Sequence, residues 1–294
     1  MKVERRESKV ESRKPQACGG PMAARPSTLD PRLSTDFAFT LIELLVVIVI
    51  LGILAGLAVP ALKNLGKSDQ TISAGRQLLD DVGRARQLAI ANHTTVYMVF
   101  VPTNFWGNNP SAFISSLTPA QQIAATNLCD KQLTGYTFMS HGQVGDQPGQ
   151  HAWHYLAPWQ NLPEGTFIAQ WKFQPGSQPP YTIAAYNVLG FDTTNSFPFP
   201  TETSAISSSL NLPYIAFNYL GQLTDDGISL ATAHEYIPLA RGNVSPAVDQ
   251  NKSLLLANAA VEEFPPGNST NSAFNLVDID PLTGRATLQF QKVQ

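Results

Sequence analysis

The chain has 294 residues, enough for one sizeable domain besides a separate apolar segment, and a formal net charge of −3. The charge is uneven: residues 1–38 hold eight Lys/Arg against five Asp/Glu, and the remainder holds eleven against seventeen. An acidic bulk argues against a nucleic-acid partner, because Arg84 with Arg86 is too small a basic cluster to track a phosphate backbone.

Residues 1–38 are assigned no fold. Met22 offers an alternative start, and Arg5-Arg6 lacks the apolar context of a twin-arginine signal. From Ala38 to Pro60 the chain reads AFTLIELLVVIVILGILAGLAVP, an apolar run with one acid, Glu43, near its start. Leu44–Leu62 carries no charge and matches the roughly 20 residues that cross a bilayer as a helix. A charge inside such a span costs at least ~2.5 kcal/mol, so Glu43 is a candidate functional residue that needs a partner. Thr40 and Glu43 stand at capping-box spacing. Gly52 and Gly56 form a GxxxG pair, which permits close approach of a second helix, and Pro60 removes a backbone donor and should kink the helix. The basic segment 1–38 is expected to stay cytoplasmic by the positive-inside rule, which puts the bulk of the chain across the membrane. A secretory signal peptide fits less well, since Ala55, Ala58 and Ala61 are three apart and make no small-x-small site after the apolar core.

Lys63, Lys67, Asp69 and Gln70 mark emergence into water. Leu78, Val82, Ala85 and Ala89 then recur at helical offsets, with Asp80, Asp81, Arg84 and Arg86 mostly on the other side, which predicts an amphipathic helix packed on a domain. At Thr94 the period changes. Thr94–Val101 is β-branched and aromatic and stops at Pro102, so it reads as a strand. Further strands are expected at Tyr136–Met139, Thr166–Phe173, Tyr181–Val188, Tyr214–Tyr219, Leu254–Val261, Phe274–Ile279 and Ala286–Phe290, the last two as a hairpin around Asp280–Gly284. Thr118–Leu128 reads as a short helix. Residues 103–135 and 141–163 read as long decorated loops, the kind that carry insertions or binding surfaces.

Phe39-Thr40-Leu41-Ile42-Glu43 with the following apolar run resembles the cleavage and methylation motif of type IV prepilins and type II secretion pseudopilins. The resemblance implies a cut by prepilin peptidase between Ala38 and Phe39, and N-methylation of Phe39. Glu43 becomes the fifth residue of the mature chain, where the family keeps its Glu, and Pro60 the twenty-second, where many members keep Pro. Ala38 departs from the Gly usual before the cut. A second, weaker resemblance is to GspH/FimT-type minor pseudopilins. It rests on Asp80–Ala91 leading directly into a strand, on Tyr214–Gly221, and on Leu282-Thr283-Gly284-Arg285. The family implies an α+β fold: a long N-terminal transmembrane helix continuing into an amphipathic helix packed on an antiparallel, β-sandwich-like domain. The expected organisation is a leader at 1–38, a transmembrane and assembly segment at 39–65, the amphipathic continuation at 66–93 and an exported β-rich domain at 94–294. Cleavage would remove Cys18 and leave Cys129 alone, so the fold must rest on its apolar core and not on a disulfide.

No catalytic constellation emerges, and the chain reads as a structural subunit and not an enzyme, with no cofactor. His151 and His154 have a spacing that could hold a metal on a helix, but their aromatic surroundings suit packing better. Asp278 and Asp280 before Gly284 lack the further ligands of a calcium loop. Phe105-Trp106 and Trp153, Tyr155 and Trp159 read as core or loop packing ahead of a partner surface. The implied partners are prepilin peptidase, other pseudopilin or pilin subunits and an inner-membrane assembly platform. The implied role is a minor subunit of a secretion pseudopilus. A minor pilin of a type IV pilus, serving adhesion, motility or DNA uptake, is the alternative, and a membrane-anchored exported enzyme a third.

Overall fold

The computed structural model describes residues 40–107, 109–146, 152–174, 181–183, 186–201, 209–270 and 275–289, with backbone alone for 57–70 and 181–183. The chain divides into two units between Leu54 and Ala55. One helix, α1 (Leu41–Asn92), supplies the described part of the first unit and the opening of the second. It ends where His93 takes a left-handed φ of 49° and the Thr94 N–H donates back to Ala89 O at 3.3 Å. Such a reversal satisfies a carbonyl that the helix itself leaves unpaired.

The second unit continues through β1 (Val96–Phe100), α2 (Pro110–Ser115), α3 (Pro119–Leu128), β2 (Gly135–His141), β3 (Trp153–Tyr155), β4 (Gln160–Asn161) and β5 (Thr166–Ile168). Next come β6 (Tyr181–Ile183), β7 (Tyr186–Val188), β8 (Ser196–Pro198), β9 (Ser209–Asn211), β10 (Tyr214–Phe217) and β11 (Leu223–Thr224). The chain closes with β12 (Glu235–Ser245), β13 (Ala260–Glu263), β14 (Asn275–Ile279) and β15 (Ala286–Gln289). The fold is α+β, and every strand pairing among the described residues is antiparallel. One sheet has the order β11-β10-β1-β2-β3, with β4 also on β2; a second runs β13-β12-β14-β15, with β5 also on β12; β6–β7 and β8–β9 are separate hairpins.

Two cores explain the apolar pattern. In the first, Leu78, Val82, Ala85 and Ala89 of α1, none exposed, pack with Val96, Met98 and Phe100 of β1 and with Ile237, Leu239, Val277 and Ile279 of the second sheet. The predicted stripe is therefore the buried face of the helix. In the second, the other face of β1 (Tyr97, Val99) meets Phe113, Ala125 and Leu128 of the short helices and Phe197 of β8. Because β1 is covered on both sides, its sequence VYMVF is apolar at every position and does not alternate. Polar bonds fasten the helix as well: Gln77 Nε2 donates to Tyr136 O–η and to Asn161 O at 2.9 Å each, and Tyr136 donates to Asp81.

Several expected elements differ. Residues 103–135 and 141–163 are not loops throughout, since they contain α2, α3, β3 and β4. Thr118 caps α3 with a full capping box to Gln121. The strand expected over Thr166–Phe173 stops at Ile168, and Gln170–Phe173 turns into a short 3-10 helix that seats Lys172 in the interior. Tyr181–Val188 is two strands of a hairpin. Of Leu254–Val261 only the end is strand, in β13, apart from one isolated bridge from Leu254 to Val248. The longest described strand, β12, is not among the expected ones; it carries Pro238, which removes a ladder donor. Pro238 is accommodated opposite Leu276, and its carbonyl accepts from Ala169 N–H at 3.0 Å.

Candidate functional site

The apolar segment forms the first turns of α1. The Glu43 N–H donates to Thr40 O at 3.0 Å and to Thr40 Oγ1 at 3.3 Å, so Thr40 serves as the expected cap. Glu43 is exposed in that first turn, where the unpaired N–H groups of a helix favour a negative charge. Every Leu, Ile and Val from Leu41 to Leu54 is exposed, from 47% at Val47 to 83% at Leu41. A helix apolar on all sides is stable only when something covers it, either lipid or other protein. A Cβ at Gly52 or Gly56 would touch nothing within 4 Å, so no contact with a described residue requires glycine at either position.

Ala38 and Phe39 lie outside the described residues. Pro60 falls inside α1, but its side chain, and with it the expected kink, is likewise outside them. The expected membrane span at 39–65 extends past residue 56, where the described side chains stop, and the apolar stretch up to there is shorter than the roughly 20 residues required. Among the described residues no helix is long and apolar enough to cross a membrane.

A second cluster lies in the β-rich unit. Arg86 of α1 donates from Nε to Thr283 O at 2.7 Å and to Gly221 O at 3.2 Å. Gly221 (φ +78°) and Gly284 (φ +61°) both need the left-handed backbone, and a Cβ on Gly284 would run into Gly221 O. The three segments that carry the GspH/FimT resemblance, far apart in sequence, thus meet at one guanidinium.

The other candidates that the structure describes are engaged within the chain. His151 lies outside the described residues, and His154 Nε2 sits 3.0 Å from Asp146 Oδ2. Asp280 accepts from Thr283 N–H at 2.7 Å and from its hydroxyl at 2.9 Å, as the turn of the β14–β15 hairpin requires, while Asp278 lies 2.7 Å from His234 Nδ1. Among the described residues no group of His, Cys, Asp and Glu is placed to hold a metal. Phe105 and Trp106 are buried, and Trp153, Tyr155 and Trp159 pack against the same core.

Sequence reasoning missed one charged pair. Lys172 is fully buried, with Nζ 2.5 Å from Glu235 Oε1, 2.6 Å from Leu189 O and 4.6 Å from the Phe191 ring centroid. Burial pulls the lysine pKa down and pushes the Glu235 carboxyl up, and their mutual attraction opposes both shifts. The signal was a lone lysine inside an otherwise uncharged stretch, Thr166–Phe173.

The family described as the prokaryotic N-terminal methylation motif matches residues 34–59, under a tenth of the chain. The match supports a type IV pilin- or pseudopilin-type protein, and it implies processing by prepilin peptidase and assembly with other pilin subunits. No curated protein and no solved structure shows a significant match.

Proposed function

We propose that this chain is a minor pseudopilin: a structural, non-catalytic subunit cut between Ala38 and Phe39, N-methylated on Phe39, and assembled into a type II secretion pseudopilus. The observation that carries the reading is the methylation motif over 34–59 together with a helix whose apolar side chains are exposed on all sides. Residues 39–65 anchor the precursor in the inner membrane, with the leader cytoplasmic and the β-rich domain on the far side. The assembly platform then moves the subunit into the filament.

Glu43 supplies the register. Cleavage creates a positive amine on Phe39, and N-methylation keeps that charge. In a low-dielectric bundle an unpaired charge is costly, so Glu43 of one subunit pairs with the Phe39 amine of a neighbour and fixes their axial offset. Gly52 and Gly56 let neighbouring helices approach, and Pro60 loosens the helix beyond them. The minor-subunit assignment is supported by the meeting of Arg86, Gly221 and Gly284, which carry the GspH/FimT resemblance.

Peptide mass analysis of protein extracted from membranes tests the processing step. A mature chain beginning with N-methyl-Phe39 is expected, and Ala38→Gly should process at least as fast as the parent. A terminus lying after the apolar core would sink the reading.

A further inference from the structure

A hollow of about 560 Å³ opens beside the turn that follows β1, assembled from stretches far apart in the sequence. Its volume falls in the range of small-molecule sites, ~300–1,000 Å³. Asn104, Gln170, Gln174, Asn211 and Asn258 line it, with Trp106 among them. None of the five amide side chains hydrogen-bonds to a described residue. All five stand at exposed positions, so their donors and acceptors are open to a ligand. Trp106 is only 8% exposed, yet its indole N–H also has no partner among the described residues. Among the described residues the sealed side-chain groups without a partner are the hydroxyls of Thr71, Ser140 and Thr166, so the Trp106 N–H is not sealed and stays open to a ligand on the hollow's side.

The lining selects a ligand class. Among the described residues no charged side chain borders the hollow, in contrast to the neighbouring cavity of about 360 Å³, which carries Asp192, Asp225 and Glu235. Among the described residues an anion would meet no cation here, and a cation no carboxylate. A purely apolar ligand would strip water from the amides and give nothing back. An amide offers both donors and an acceptor, which matches a hydroxyl that does both, and Phe105 and Phe173 add ring surface for C–H faces. Capture of an extended peptide by strand addition wants a long open edge, and the strand on this rim, β9, has three residues.

We propose that this hollow binds a neutral saccharide. The inference does not depend on the filament reading. The test uses the full chain in a zwitterionic detergent without a sugar headgroup, applied to arrays of neutral glycans, anionic glycans and uncharged peptides. Saturable binding to neutral glycans is expected, released by the free glycan. Asn104→Ala combined with Asn211→Ala, both at exposed positions, should weaken it at least tenfold with an unchanged melting curve, and Gln170→Ala should act in the same direction. Binding only to anionic glycans, binding to peptides instead, or no signal on neutral glycans would overturn the proposal. So would full binding by both variants.

Discussion

Glu43 and Lys172 are charges in apolar company, and they settle their cost in opposite ways. Glu43 stands exposed in the first turn of α1, so under the filament reading its partner comes from another molecule. Glu43→Leu makes the segment more apolar, so the variant should still insert and still be cleaved. Co-assembly with other pilin subunits should fall, measured by crosslinking and by recovery in sheared filaments; normal entry into filaments would refute the pairing. Lys172 instead has its partner within the chain, Glu235 at 2.5 Å. Removing one member of a buried pair leaves the other uncompensated, at about 3–5 kcal/mol. Lys172→Met should therefore lower unfolding free energy by roughly that amount, and Lys172→Met with Glu235→Leu should cost less than Lys172→Met alone. A double variant at least as damaged as the single would show that the pair is not the source of the loss.

At the scale of elements, α1 does two jobs with one helix. Its first turns present apolar side chains outward, while Leu78, Val82, Ala85 and Ala89 close the core of the second unit. Small residues at Ala85 and Ala89 let the helix sit close to the sheets, and Leu78 provides the bulk. Leu78→Ala should destabilise the domain by about 2–5 kcal/mol in urea unfolding, through lost burial plus the cavity left behind. An effect within ~0.5 kcal/mol, typical of surface positions, would mean that the helix does not close the core. The hairpin β14–β15 and the turn before β11 are tied to the same helix through Arg86, so α1 holds parts of both sheets.

For the molecule as a whole, the second unit has its own cores, and a chain beginning at Lys67 should be soluble and mainly β with one helix of several turns. A circular dichroism spectrum dominated by helix, or a disordered chain, would contradict that architecture. The same protein should lose stability in alkali. Burial pushes the Cys129 thiol from its ordinary 9.0 up to about 11, and burial with Asp226 pushes Tyr97 from 10.0 up to about 12. Burial also raises Tyr136 and Tyr214. With folded pKa values above the unfolded ones, the unfolded chain releases protons first. The stabilisation is thus complete below about pH 9 and lost as pH rises through 11 to 12. Denaturant midpoints that stay constant from pH 8 to 11 would argue that these groups are not buried.

The N-terminal motif, the amphipathic stripe and the change of period at Thr94 were legible in the sequence because each depends on local spacing. So were the short helix that begins at Thr118 and the closing hairpin, whose turn is built by Asp280 and Thr283. Tertiary context decided the rest. Pro238 hides β12 from any local rule, since a strand can carry a proline only where its neighbours do not need the missing N–H. Thr166–Phe173 reads as one strand, yet the chain turns after Ile168 and brings Lys172 within reach of Glu235, sixty-three residues away. The meeting of Arg86 with Gly221 and Gly284, and the gathering of uncoupled amides around Trp106, likewise join residues that spacing does not relate. Local physics set which segments became helix or strand; long-range packing set which side chains face one another, and the second unit's candidate sites lie there.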